Sequence, residues 1–315
     1  MKRSSCKFTV EVILNILVLL SCLSVTAQVT EKPSLLHRSL NEFINVRDFC
    51  QSSQEDEVFF TIQSPNQNIS QIVYMTKENG EWTSPKLLPF CDSFMYLEPF
   101  LTYDGKRLFF VSDRPLGDGT QKKDFDIWYV TRETKNSAWS APINLGAPVN
   151  TEYDEFYPTL SNNNNLYLTI DAPNGLGKDD IYVAEWNGNS YTPLVLLNSN
   201  INSSGYEFNA FISKNEDFLL YTKYNAKDGM GSGDLYMSRK TNGIWQKAEN
   251  LGATVNSKAM EYCPYYDEKN NILYFTSRRD ELHPKAFESI ADFQAYINNS
   301  ANGLSKLYKV KIDLN

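Results

Sequence analysis

The chain repeats itself five times, and a period near 54 residues restricts its fold more than any single motif does. Each unit opens with a glutamate beside an aromatic residue: Glu42 in NEFIN, Glu98 in YLEPF, Glu155 in DEFYP, Glu207 in YEFNA and Glu261 in MEYCP, at spacings of 56, 57, 52 and 54. An aromatic-rich apolar run follows in every unit: EVFFTI at 57–62, RLFFVS at 107–112, LYLTI at 166–170, FLLYTK at 218–223 and ILYFTS at 272–277. These runs have strand length and a β-favouring composition.

A second strand opens on a polar residue in QIVYM at 71–75, DIWYV at 126–130, DIYVA at 180–184, DLYMS at 234–238 and KLYKV at 306–310. The last landmark is an aromatic residue with leucine six positions on, as Trp82 and Leu88, Trp139 and Leu145, Tyr191 and Leu197, Trp245 and Leu251. Turn formers such as NLGAPVN at 144–150 and NLGATVN at 250–256 separate one unit from the next. Four short strands per unit predict an all-β, five-bladed β-propeller. A sixth blade would need about 54 further residues.

The fifth repeat has no fourth landmark. EKPSLL at 31–36 supplies one, because Pro33 stands three residues before Leu36 as Pro85 does before Leu88 and Pro142 before Leu145. The N-terminal segment is therefore predicted to be the outer strand of the last blade, closing the ring and leaving no edge open to aggregation.

Residues 95–130, with EPFLTYDGKRLFFVSDRPLGDG and then DIWYV, resemble the repeat of the TolB-like, WD-repeat-like propellers of bacterial envelopes; 155–184 and 261–310 resemble it more loosely. TolB itself adds an amino-terminal domain and a sixth blade. The resemblance implies an exported propeller presenting a binding surface, often within larger envelope or surface-polymer systems.

Export is also legible directly. Lys2, Arg3 and Lys7 precede an apolar core from Val12 to Leu20, and Val25-Thr26-Ala27 offers a small-residue cleavage site before Gln28, so residues 1–27 read as a signal peptide and 28–315 as the propeller domain. The apolar run is short of the about 20 residues of a membrane span. Leu19-Leu20-Ser21-Cys22 resembles a lipobox, which makes a lipid anchor on Cys22 the alternative to a free periplasmic or secreted form.

Residues 1–27 hold three of 30 basic and one of 38 acidic residues, so the remainder carries a net charge of −10. That balance excludes nucleic acid, whose phosphates need a basic face. Cys50, Cys91 and Cys263 are too few for a disulfide framework and are expected as buried thiols, with one pair open to oxidation.

Enzyme templates find little purchase. Two histidines, His37 and His283, and the absence of CxxC, HExxH, GxSxG and phosphate-cradling glycine motifs leave no cofactor or metal site expected. What remains is a glycosidase, which asks for two carboxylates about 5 to 9.5 Å apart. Glu42, Glu98, Glu155, Glu207 and Glu261, each expected near the start of an innermost strand at one mouth of the channel, are the candidates. Their recurrence in every blade argues for the repeat's own hydrogen bonding instead. Asp126, Asp180 and Asp234 are expected to brace the turns before their strands. Trp82, Trp139, Tyr191 and Trp245 are expected to wedge between blades rather than stack on sugars. The loop GDGTQKKDFD at 117–126 lacks the ligand spacing of an EF-hand and reads as a solvated turn.

The largest departure from the repeat is an insertion at about 280–303 between the second and third strands of blade five. Phe287, Ile290, Phe293 and Ile297 have the spacing of an amphipathic helix with Pro284 in its first turn. Either the helix caps the channel mouth or it meets a partner. Arg278, Arg279 and His283 give this edge a local basic character. The leading expectation is a non-enzymatic binding module that engages an envelope or surface protein through its loop face. The alternative is a carbohydrate-binding or glycoside-hydrolysing propeller that uses the channel-mouth carboxylates.

Overall fold

A computed structural model describes residues 28–29, 31–37, 40, 42–117, 123–298 and 301–314. The expected signal peptide at 1–27, with Cys22, and the centre of the 117–126 loop lie outside the described residues. Five antiparallel sheets form the blades, and their innermost strands, Asn45–Gln51, Tyr96–Leu101, Glu155–Leu160, Glu207–Ile212 and Glu261–Asp267, pack on one another in a closed ring. Outward from these lie the second strands Glu57–Gln63, Arg107–Ser112, Leu166–Ile170, Phe218–Tyr224 and Ile272–Ser277, then the third strands Ser70–Glu78, Asp126–Thr131, Asp180–Ala184, Gly233–Thr241 and Lys306–Asp313. The outer strands are pairs such as Ile143–Asn144 and Val195–Leu196.

The seam closes as predicted. Ser34 and Leu35 pair with Lys309 and Tyr308, and Gln28 and Val29 with Asp313 and Ile312, so the N-terminal segment completes the blade that the C-terminal strand began. Aromatic side chains fill the space between blades: Trp139 packs edge-on against Phe59 of blade one, Trp245 against Tyr167 of blade three, and Phe49 stacks on Tyr274 across the seam at 4.2 Å. Tyr191 and Trp245 are buried, while Trp82 and Trp139 are partly covered, with Lys77 and Arg132 lying over their rings.

The turns between blades are hydrogen-bonded clamps. Asn150, Asn202 and Asn256 each accept from the main-chain N–H of a third-strand residue, Ile127, Ile181 and Leu235, and donate back to the carbonyl of that same residue. One side chain thus satisfies both backbone groups of a buried strand, which explains why the NLGxxVN turn ends on asparagine.

The insertion differs from expectation in length. Its helix spans Ile290–Ile297, begins at an N-cap on Ser289, and has no buried residue. Pro284 and Phe287 precede it. Phe287 closes against Phe293 and Tyr296 instead, and Tyr296 fixes the approach by accepting from the His283 N–H and donating to its carbonyl. The apolar side is not laid over the propeller: Ile290 is 73% exposed, Phe293 41% and Ile297 38%.

Candidate functional site at the axis and the loop face

The repeat glutamates do not form a five-membered ring. Glu155, Glu207 and Glu261 are equivalent, each opening an inner strand and accepting from the N–H and hydroxyl of Thr151, Ser203 or Ser257 four residues earlier. In blade two the corresponding residue is Tyr96, which pairs with Ser112, and in blade one it is Val46, which pairs with Ile62. Glu42 stands before its strand and is exposed. Glu98 sits two residues deeper, so aligning on the glutamate shifted blade two out of register.

The three equivalent glutamates differ in their second neighbour. Lys223 lies 3.9 Å from Glu207, and Arg279 reaches Glu261 at 3.3 Å, but Ile170 pairs with Glu155 where Lys223 pairs with Glu207. Glu155 therefore keeps one oxygen, Oε2, buried without a hydrogen-bond partner among the described residues. Burial, opposed by the Thr151 bonds and reinforced by Asp126 and Asp124, pushes it up to about 8. The folded state holds a proton that the unfolded chain releases near pH 4.5. This contribution is complete below about 4.5, is lost as pH rises to about 8, and is constant beyond. Glu155→Gln is expected to flatten that decline, measured by urea unfolding at about pH 5 and about pH 8; an equal decline in both proteins would refute the assignment.

At the axis, every inner strand carries a bulge, and at each bulge one residue has a positive φ: Asp48, Glu98, Tyr157, Asn209 and Cys263, at 61°, 57°, 54°, 52° and 52°. Left-handed backbone at five non-glycine residues costs on the order of 1 kcal/mol each and turns these side chains toward one another. Arg47 ties them together. Its Nε donates to Asp48, and one terminal nitrogen donates to Glu98 Oε1 at 2.6 Å and to Cys263 Sγ at 3.4 Å. Glu98 Oε2 accepts from the Tyr157 N–H at 2.6 Å, and Asn209 reaches Oε1 at 3.4 Å. Burial raises Glu98 against the pull of Arg47, and burial holds the Cys263 thiol well above its usual range. Ligand atoms of Asp48, Glu98 and Cys263 lie within 4.8 Å of one another, a spacing that suits a metal ion. The guanidinium already bonds all three and supplies the positive charge.

Above this cluster opens a cavity of about 230 Å³, lined by Glu98, Asn209, Phe156, Phe208, Tyr262 and Arg278 among others. A neighbouring cleft of about 590 Å³ runs between the 253–259 turn and the base of the insertion, past Lys32, Lys258, Arg278 and Arg279. The basic edge divides in role. Arg279 is absorbed by Glu261, the Val255 carbonyl and the rings of Phe275 and Tyr308. Arg278 faces both cavities, while His283 acts through its backbone and is exposed.

The same face displays apolar side chains. Ile69, Leu116, Leu176 and Met230 each protrude from the loop between second and third strands in blades one to four, where blade five carries Ile290, Phe293 and Ile297. The display is rigid in blades three and four. Leu176 and Gly177 donate their N–H groups to Asp180, and Met230 and Gly231 to Asp234, so these aspartates brace the loops before their strands. A Cβ on Gly177 or Gly231 would come within 2.2 Å of the carbonyl oxygen of Gly205 or Ala259, so both loops are seated on the next blade's turn.

The axial cluster was not found from sequence, although a polar residue inside the apolar inner strands of blades one, two and four, Asp48, Glu98 and Asn209, was its one local signal. No family model matches the sequence, and no curated protein matches it. Among solved structures, BT0996 in an RGII complex shares 10% identity over 90% of this chain and 92% of that one, with a TM-score of 0.57. The α-L-arabinofuranosidase PaAbf62A from Podospora anserina, in complex with cellotriose, shares 14% over 91% and 96%, with a TM-score of 0.50. TolB from Acinetobacter baumannii shares 9%, covering 84% of this chain but 54% of TolB, with a TM-score of 0.46. The likeness is one of fold. At these identities it extends to the propeller and to no family within it. Among the described residues no helix is long and apolar enough to cross a membrane.

Proposed function

We propose that this chain is an exported, non-enzymatic binding propeller that engages an envelope or surface protein through the face carrying the blade-five insertion. The distribution of exposed apolar side chains supports this reading. Among the described residues, Ile44, Ile69, Leu116, Leu176, Tyr206, Tyr224, Met230, Ile290, Phe293 and Ile297 lie on that face, against Leu87, Ile143, Val195 and Ile244 on the outer strands. Scattered exposed leucines are ordinary, but a set concentrated on one face and held by hydrogen-bonded loops has the character of interface anchors. The carboxylates that would serve a glycosidase are engaged in the fold: three repeat glutamates bond their own turns, Glu155 through one oxygen only, and Arg47 bridges Asp48 and Glu98.

The test is in-cell crosslinking of tagged wild type, Leu176→Glu/Met230→Glu and Phe293→Glu, followed by mass spectrometry. These surface changes are expected to leave folding intact. One envelope protein should be captured by wild type and reduced at least about tenfold in both variants, as expected when a charge replaces a buried anchor. Capture that is unaffected by the charges, or no reproducible capture by wild type, overturns the proposal.

A further inference from the structure

We propose that the axial cavity is a binding subsite for a single carboxylate-bearing sugar ring, a hexuronic acid residue, held by Arg278 at the rim and by Glu98 and Asn209 at the floor. The site is separate from the apolar loops that carry the partner reading and rests on different observations.

The decisive group is Arg278. Its Nε donates to Ser305 Oγ at 3.2 Å, and its guanidinium lies over the Tyr262 ring, 5.6 Å from the centroid. Tyr262 is itself buried and bonded to Ser305 at 2.7 Å, so the platform beneath the guanidinium is fixed. Among the described residues no carboxylate pairs with Arg278, and its terminal nitrogens make no hydrogen bond. Arg47, Arg132 and Arg279 have carboxylate partners; Arg107 and Arg239 bond Asn164 and the Leu314 carbonyl, and Arg114 lies over the Trp128 ring away from this cavity. A planar guanidinium that is preoriented and unpaired is the usual means of receiving a carboxylate with two parallel hydrogen bonds.

The remaining walls fit a ring carrying hydroxyls better than they fit a simple anion or an apolar side chain. The floor is polar: Asn209, 4% exposed, retains donor capacity beyond its long bond to Glu98, and Glu98 presents a carboxylate that accepts from Arg47, whose single charge it shares with Asp48. The half-buried rings of Phe156 and Phe208 offer apolar surface to the C–H side of a pyranose, while Gln67 and Asp179 stand at the rim. A cavity of about 230 Å³ has the room of roughly eight waters at about 30 Å³ each, enough for one sugar ring and below what drug-sized ligands occupy. Arg278 also lines the adjoining cleft with Lys32 and Lys258, so a second acidic residue of a polymer would meet further positive charge as it leaves the axis. No covalent step is implied.

The experiment is titration calorimetry of the mature protein with glucuronate and galacturonate, with glucose, galactose, acetate and inorganic phosphate as controls. About thirteen non-hydrogen atoms at ordinary ligand efficiency correspond to a Kd on the order of 1 mM. One uronate should bind at least about tenfold more tightly than its neutral hexose. Arg278→Gln should erase that preference, Arg278→Lys should restore part of it, and Asn209→Ala should weaken uronate and hexose alike. Thermal unfolding of each variant distinguishes loss of the site from loss of the fold. Equal binding of uronate and neutral sugar, equal binding of phosphate or acetate, no saturable binding of any uronate, or full uronate preference in a folded Arg278→Gln protein would each overturn the proposal. None of these outcomes bears on capture through the loop face.

Discussion

Arg47→Met is expected to destabilise the propeller by about 3–5 kcal/mol, the range for removing one partner of a buried ion pair. Methionine fills most of the space, so the loss is electrostatic rather than a cavity. Without the guanidinium, the Asp48 and Glu98 carboxylates face each other with side chains only 1% and 3% exposed. Two buried carboxylates at such separation cannot both stay ionised, and one takes up a proton. Its pKa in the folded state then exceeds that in the unfolded state, so the variant is most stable at low pH and loses stability as pH rises through the shifted value. Unfolding in urea at about pH 5 and about pH 8 should show a larger deficit at the higher pH. Adding Asp48→Asn and Glu98→Gln to Arg47→Met should recover much of it, because no charge is then stranded. A deficit below about 1 kcal/mol at both pH values would mean that Arg47 does not hold the axis.

The second large effect is expected between blades one and two. Arg132 grips Glu57 through both terminal nitrogens, at 2.8 and 2.6 Å, with side chains only 3% and 5% exposed. The same guanidinium donates to the Gly105 carbonyl at 2.8 Å and lies over the Trp139 ring at 4.3 Å, and Trp139 in turn packs on Phe59 of blade one. Arg132→Ala therefore strands a buried carboxylate and unsupports an inter-blade aromatic. A loss of about 3–5 kcal/mol in urea unfolding is expected. Lys135 and Asp56 bridge the same two blades at the surface, where solvent screens them, and Lys135→Ala is expected to change little. Similar losses from both substitutions would show that the interface is held by its apolar contacts and not by the Arg132–Glu57 pair.

These two arginines mark the boundary between what was readable along the chain and what was not. The fivefold repeat and the four strands of each blade follow from local periodicity, because strands within a blade pair over less than about 54 residues; the seam made by EKPSLL and the aromatic wedges, though long-range, follow because they recur at fixed places in that repeat. Register at the axis does not. A bulge adds one residue to each inner strand, so Glu98 turns inward at a position that in blades three to five belongs to Tyr157, Asn209 and Cys263, while the glutamates of those blades turn back to their own Thr or Ser.

Arg47 contacts Glu98 and Cys263 across separations of 51 and 216 residues, and nothing in the local pattern at either end reports the other. The insertion shows the same limit: its apolar spacing announced a helix, but whether that side is covered depends on the surface next to it. Blade number, blade order and closure of the ring were written in the chain's own pattern, since burial of alternating and aromatic residues is decided between neighbours. Which polar side chains meet at the axis, and that Arg278 among the described residues is left without a carboxylate, was settled by three-dimensional packing, because those contacts exist only once five distant segments share one channel.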